Sequence, residues 1–133
     1  MNKKYFLAVA TATILTASIY SCKKDTPDTE KPVITLAEPM MNDTLSLSVE
    51  DSVHIEFSAI DNIELHDVAV NITNIGGTNV YTTTDDVDAK TFSYHKHFVP
   101  SGITTVTPFT LKIDASDHSG NATNQSLTFY VKP

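Results

Sequence analysis

Arginine and tryptophan are absent from this sequence, and cysteine occurs once in 133 residues. Each shortage excludes something. The basic residues are nine lysines against 16 acids, for a formal net charge of −7. An acidic chain without Arg is a poor match for nucleic acid, where phosphate neutralisation supplies most of the affinity. A single Cys leaves no internal disulfide framework, no Cys-x-x-Cys redox pair and no cysteine zinc finger. Only four glycines occur. They form no phosphate-binding loop and no Gly-x-Ser-x-Gly elbow, and Gly76-Gly77 reads as a turn. No long uninterrupted apolar run is present. The most apolar stretch, Tyr5 to Ile19, is broken by Thr11, Thr13, Thr16 and Ser18. It falls short of the roughly 20 apolar residues that span a bilayer.

What is there begins with an address. Lys3 and Lys4 precede the apolar stretch, and Tyr20, Ser21 and Cys22 follow it. A positive start, a short apolar run and a small residue before the cut are the marks of a secretory signal. Ile19-Tyr20-Ser21-Cys22 resembles a bacterial lipobox. That resemblance implies cleavage before Cys22, two acyl chains on its sulfur and a third on the new amine. Several chains hold a protein firmly to a bilayer, at roughly 0.8 kcal/mol per buried CH₂. The polar run from Lys23 to Lys31 suits a tether. Extended, nine residues reach about 30 Å. The expected organisation is a lipoprotein signal over 1–21, acylated Cys22 with its tether over 22–31, and one folded domain over 32–133. Lys23, rather than Asp, follows the cysteine. By resemblance to Gram-negative sorting rules, this implies the outer membrane, on its periplasmic or cell-surface face.

From Pro32 onward, Val, Ile, Thr, Phe and Tyr alternate with polar residues, and no helical stripe of useful length occurs. The clearest strands are Val53–Ala59, Asp67–Ile72, Phe92–Phe98, Phe109–Asp114 and Leu127–Lys132. Weaker ones lie at Val33–Leu36, Leu45–Val49 and Asn79–Thr83. Turn signals fall at Glu38-Pro39, Asp61-Asn62, Gly76-Gly77, Asp85-Asp86, Pro100-Ser101-Gly102 and Ser119-Gly120-Asn121. The pattern predicts an all-β domain, a single immunoglobulin-like sandwich of about seven or eight antiparallel strands. With no Cys pair and no Trp, its core must rest on aliphatic and Phe packing. Periodicity alone leaves Tyr81 and Tyr130 unassigned between the core and a partner-facing surface.

Two stretches sharpen the expectation. Phe57-Ser58-Ala59-Ile60-Asp61-Asn62-Ile63-Glu64-Leu65 resembles the Ala-x-Asp-Asn-x-x-Leu segment of bacterial immunoglobulin-like and cadherin-like modules. Leu111 to Asn121 resembles their Ala-x-Asp-x-x-Gly-Asn segment. With the lipobox and Asp28-Thr29-Glu30-Lys31-Pro32, the whole chain resembles the small Bacteroidetes lipoproteins that carry a domain of unknown function. That family implies no catalytic residues.

The two acidic loops are the first place to look for chemistry. In the immunoglobulin-like arrangement they share the end where the tether enters. Asp61, Asn62, Asp114, Asp117 and Asn121 then converge as candidate calcium ligands, with Glu64, Glu38 or Asp28 available to add a carboxylate. Calcium takes six to eight oxygens at about 2.3–2.6 Å. The plainer alternative is that Asp61 and Asp117 accept hydrogen bonds from loop amides while Gly120 supplies a positive φ. The second place is His95 and His97, two apart on one strand and so on one face. They make a start for zinc or copper, which favour neutral imidazole but need a third ligand. His54, His66 and His118 cannot be placed beside them from sequence. The plainer alternative is two solvated histidines flanking Lys96. Asp43-Thr44-Leu45 and Asp51-Ser52-Val53 match a Bacteroidetes O-glycosylation pattern, making Thr44 and Ser52 candidate acceptors. Asp85, Asp86 and Asp88 read as a solvated loop.

The expected function is therefore non-enzymatic. The chain would be a membrane-anchored envelope lipoprotein presenting one binding or structural module to an envelope protein or glycan. The alternative is a metal-responsive module, with calcium at the Asp loops or a transition metal at the His-x-His strand.

Overall fold

The structure, a computed structural model, describes residues 26–133. The expected signal segment and Cys22 lie outside the described residues. Strand β1 covers Val33–Glu38 and β2 covers Thr44–Ser46. A single helical turn, α1, follows at Leu47–Glu50. Then come β3 (Val53–Asn74), β4 (Asn79–Phe98), β5 (Thr107–Asp117) and β6 (Ala122–Lys132). The domain is all-β, as the alternation predicts.

Among the described residues the sheet has six strands rather than seven or eight. The difference lies in two fusions. The segments expected as separate strands around Val53–Ala59 and Asp67–Ile72 are halves of the 22-residue β3. Those around Asn79–Thr83 and Phe92–Phe98 are halves of the 20-residue β4. Asp61-Asn62 and Asp85-Asp86 carry turn chemistry, yet the chain continues forward through both. The strand expected over Leu45–Val49 is also shorter. After Ser46 the chain coils into α1, and Asp51 at φ 54 ends it in the left-handed region.

The long strands make one curled sheet serve as two layers. Strand order is β1-β3-β5-β6-β2, with β4 also on β3. Val33–Leu36 of β1 pair with Phe57–Ile60 in the first half of β3, which also pairs with Thr91–Phe98 of β4. The second half of β3, Leu65–Asn74, pairs instead with β5 and with Asn79–Ala89 of β4. The register slips between Ile60 and Leu65 and again between Leu65 and Asp67. Such bulges bend a strand and increase its twist. They also change which alternate residues face inward. Val53, Ile55, Phe57 and Ala59 are buried before the slip, and Val68, Val70 and Ile72 after it. Their odd and even numbering switches across the bulge, so both halves present apolar faces to the same core.

Phe109, Leu111 and Ile113 of β5 and Leu127, Phe129 and Val131 of β6 complete that core. The Phe109 and Phe129 rings stack with centroids 5.7 Å apart, and Phe98 meets Phe109 edge-on at 5.8 Å. Tyr81 packs against the core, and its hydroxyl lies 2.7 Å from that of Tyr94. Burial, reinforced by that hydrogen bond, pushes the Tyr94 phenol well above its ordinary range. Tyr130 alternates with buried Phe129 and Val131 and sits half-buried on the outer face. Among the described residues, no helix is long and apolar enough to cross a membrane.

Candidate cation sites

Three carboxylates meet where the segment ahead of β1 reaches the sheet. Asp61 lies at the bend of β3, Asp117 ends β5, and Asp28 belongs to the incoming segment. Each offers an oxygen within 4.8 Å of the other two. Asp61 and Asp117 are each 4% exposed.

Local turn chemistry holds two of these groups. Asp117 Oδ1 accepts from the backbone N–H of Ser119 at 2.8 Å and of Asn121 at 2.7 Å. Its Oδ2 accepts from the Asn121 side-chain amide at 2.6 Å. Gly120, at φ 87, allows the chain to close this turn. Burial alone would raise the Asp117 carboxyl. The Asn121 side chain and the N–H groups of Asn121, Ser119 and Gly120 outweigh burial and hold it below the usual carboxylate range. Asp61 Oδ1 accepts from the N–H groups of Ile63 at 2.9 Å and Glu64 at 2.8 Å.

Asp61 Oδ2 is different: it is buried and has no hydrogen-bond partner. A buried carboxylate oxygen without a donor is costly. Asp28 Oδ1 accepts from the Glu30 N–H and the Asn62 amide, at 3.0 and 3.1 Å. The Asn121 amide also donates to the Asp28 carbonyl at 3.1 Å. Lys90 reaches this region, but its ammonium donates to the Asn62 carbonyl at 2.9 Å. Three hard carboxylates, one of them holding an unpartnered oxygen, are a donor set for calcium rather than for a soft ion.

The structure thus brings Asp61 and Asp117 together and, of the three further carboxylates the sequence offers, places Asp28 beside them. Asn62 and Asn121 act here as donors that orient Asp28 and Asp117. Asp114 does not join them. It lies three residues from Asp117 on a strand, hence on the opposite face, and pairs with Lys112 at 2.7 Å. Glu64 turns toward His118 at 4.0 Å, and Glu38 toward His54 at 3.8 Å.

The histidines form a second cluster on the outer face of the layer made by β1, the first half of β3 and the second half of β4. His54 lies directly across the ladder from His97. Nitrogens of His54, His95 and His97 lie within 4.8 Å of one another. Lys96 projects to the other face, 5.5 Å from the centre of the Tyr81 ring. A third cluster was not legible in the sequence. His66 and His118 stack at 4.4 Å, and His118 Nε2 lies 2.8 Å from Asp88 Oδ1. The only hint was that Asp67 and Asp117 adjoin these two histidines.

Of the candidate glycosylation positions, Thr44 is exposed at the start of β2. Ser52 is buried, with its hydroxyl 2.9 Å from His97 Nδ1. That position does not suit an acceptor, which must be accessible.

Residues 20–115 match the family described as "Domain of unknown function (DUF4625)", and the chain belongs to that family. No curated protein matches it. Among solved structures, one similar chain is an engineered protein, 16% identical with a TM-score of 0.52. The match covers 81% of this chain and 21% of that one, so this chain spans about a fifth of its length. At that identity the likeness concerns the fold alone. The E. coli chaperone DraB is also similar, at 7% identity and a TM-score of 0.45, over 78% of this chain and 56% of that one.

Proposed function

We propose that the chain is a non-catalytic, lipid-anchored envelope module of immunoglobulin-like architecture, with a calcium ion fastening its tether to the sheet. The carrying observation is the unpartnered, buried Asp61 Oδ2 beside Asp117 and Asp28. Asp28 makes this more than a loop-stabilising ion, because it lies within the expected tether. Calcium held by Asp28, Asp61 and Asp117 would leave only Lys23 to Pro27 free between Cys22 and the domain. Five residues extend to roughly 17 Å, against about 30 Å for the whole tether. Such an ion would set how far from the bilayer, and at what angle, the module meets an envelope protein or glycan. The immunoglobulin-like reading is supported by the two layers that share β3 and β4 around one core. The anchor reading is supported by the charge, apolar run and small residue ahead of Cys22, and the outer-membrane reading by Lys23.

Calcium should raise the melting temperature of the full-length, chelator-stripped chain. A ligand specific to the folded state, at a hundredfold excess over Kd, stabilises by about 2.7 kcal/mol. For a domain near 100 residues, that is about 10 °C or more. Asp61→Asn keeps an acceptor for the Ile63 and Glu64 N–H groups but removes the charge, and should abolish the rise. An equal rise in both proteins, or none in the parent, would refute the calcium site. The anchor has a separate test: Cys22→Ala should move the protein from the membrane to the soluble fraction of cells. Retention of the variant in the membrane fraction would refute lipidation.

A further inference from the structure

His95 and His97 lacked a third partner in the sequence, and the ladder between β3 and β4 supplies one. We propose that His54, His95 and His97 form a surface site for one borderline divalent transition-metal ion, zinc or copper(II). This site is independent of the calcium site. It lies near the start of β3, whereas Asp61 is seven residues further along. At about 3.3 Å per strand residue, the two are roughly 20 Å apart.

The backbone supports the geometry. His54 and His97 are cross-strand partners in an antiparallel pair, and His95 is two residues from His97 on the same face. The imidazole centroids lie 4.2 Å apart for His54 and His97, 5.0 Å for His95 and His97, and 5.9 Å for His54 and His95. Metal–nitrogen bonds of about 2.0–2.1 Å in a tetrahedron place ligand nitrogens roughly 3.3 Å apart. Nitrogens already within 4.8 Å reach that spacing by side-chain rotation, with the strands left in place.

The surroundings resemble what a metal-binding histidine needs behind it. Ligating imidazoles generally engage their second nitrogen with a hydroxyl, carbonyl or carboxylate, which fixes the ring. His97 Nδ1 lies 2.9 Å from the buried Ser52 hydroxyl, leaving Nε2 to ligate. His54 Nδ1 lies 3.8 Å from Glu38 Oε2, a carboxylate reaching over from β1. Across the ladder from His95 stands Glu56, on the same face. Three imidazoles select a borderline ion over calcium or magnesium. They also leave a fourth position for water, for Glu56 or for a donor atom of a partner.

The test is titration of the full-length chain with zinc and with copper(II), following heat of binding and, for copper, the nitrogen coupling in its electron paramagnetic resonance spectrum. One ion should bind with three-nitrogen ligation. Loss of an outer partner typically costs 10–100-fold in metal affinity. Ser52→Ala, which removes the hydroxyl 2.9 Å from His97 Nδ1, should fall in that range, and His54→Ala should lose more than about a hundredfold. His118→Ala, in the separate His66 cluster, should leave this binding intact. The far-ultraviolet circular dichroism and cooperative thermal melt of His54→Ala should match those of the parent, which verifies that the variant is folded. Parent-like affinity in His54→Ala, a loss in His118→Ala instead, or no binding by the parent would each overturn the proposal.

Discussion

Asp117→Ala is expected to destabilise the calcium-free protein by about 3 kcal/mol at neutral pH. The carboxylate accepts from two backbone N–H groups and one side-chain amide. Removing it leaves those donors without a partner in a part-buried turn. Hydrogen bonds to charged groups are worth about 1.5–3 kcal/mol each, and losses in one network do not simply add. The effect should depend on pH with a definite sign. The folded-state carboxyl titrates below its ordinary range. Its contribution is therefore fully present above the unfolded value, near 4, and is lost as pH falls through the lower folded value. Urea unfolding at pH 7 and again near pH 2 should show the gap between parent and variant shrinking. A gap of equal size at both would mean that the charge is not what organises the turn.

Phe129→Ala should be at least as damaging, for a different reason. Phe129 is fully buried and stacks on Phe109. Truncating a core Phe costs about 3–5 kcal/mol, combining lost transfer energy with the cavity left behind. A domain of this size should lose about 15–25 °C in Tm. The neighbouring Tyr130→Ala is the control, because that ring faces outward. Comparable losses in thermal melts of the two variants would mean that β6 is inverted relative to the fold described here.

Some of this was readable in the residues and some was not. Alternation marked Val53, Ile55 and Phe57, Val68 and Val70, and Leu127 and Phe129 as inward-facing, because a period of two is a local property. The fusion of strands was hidden. Asp61-Asn62 makes the same short hydrogen bonds in a bulge as in a hairpin turn, so its chemistry cannot reveal whether the chain reverses. Asp28 and His54 joined their clusters through contacts set by tertiary packing and strand register, which no local pattern encodes. Asp114 is another matter. Periodicity ends its strand at Asp114, whereas β5 runs on to Asp117, and only that longer strand puts the two on opposite faces.

The acids in the middle of β4 have a consequence for crowding. Among the described residues this strand pairs only with β3, so along its 20 residues the other side is an unpaired edge there. A free edge of that length invites a second copy to add its own strand, the first step toward aggregation. Two copies docking antiparallel about Val87 would set Asp86 against Asp88 twice, and Asp85 and Lys90 would keep water at the same seam. Asp88, at φ 40, also breaks the regular pleat there. Under the proposed lipid anchor, copies confined to a membrane surface would meet one another far more often than molecules free in solution. A charged, irregular seam lets many copies stand side by side without knitting together.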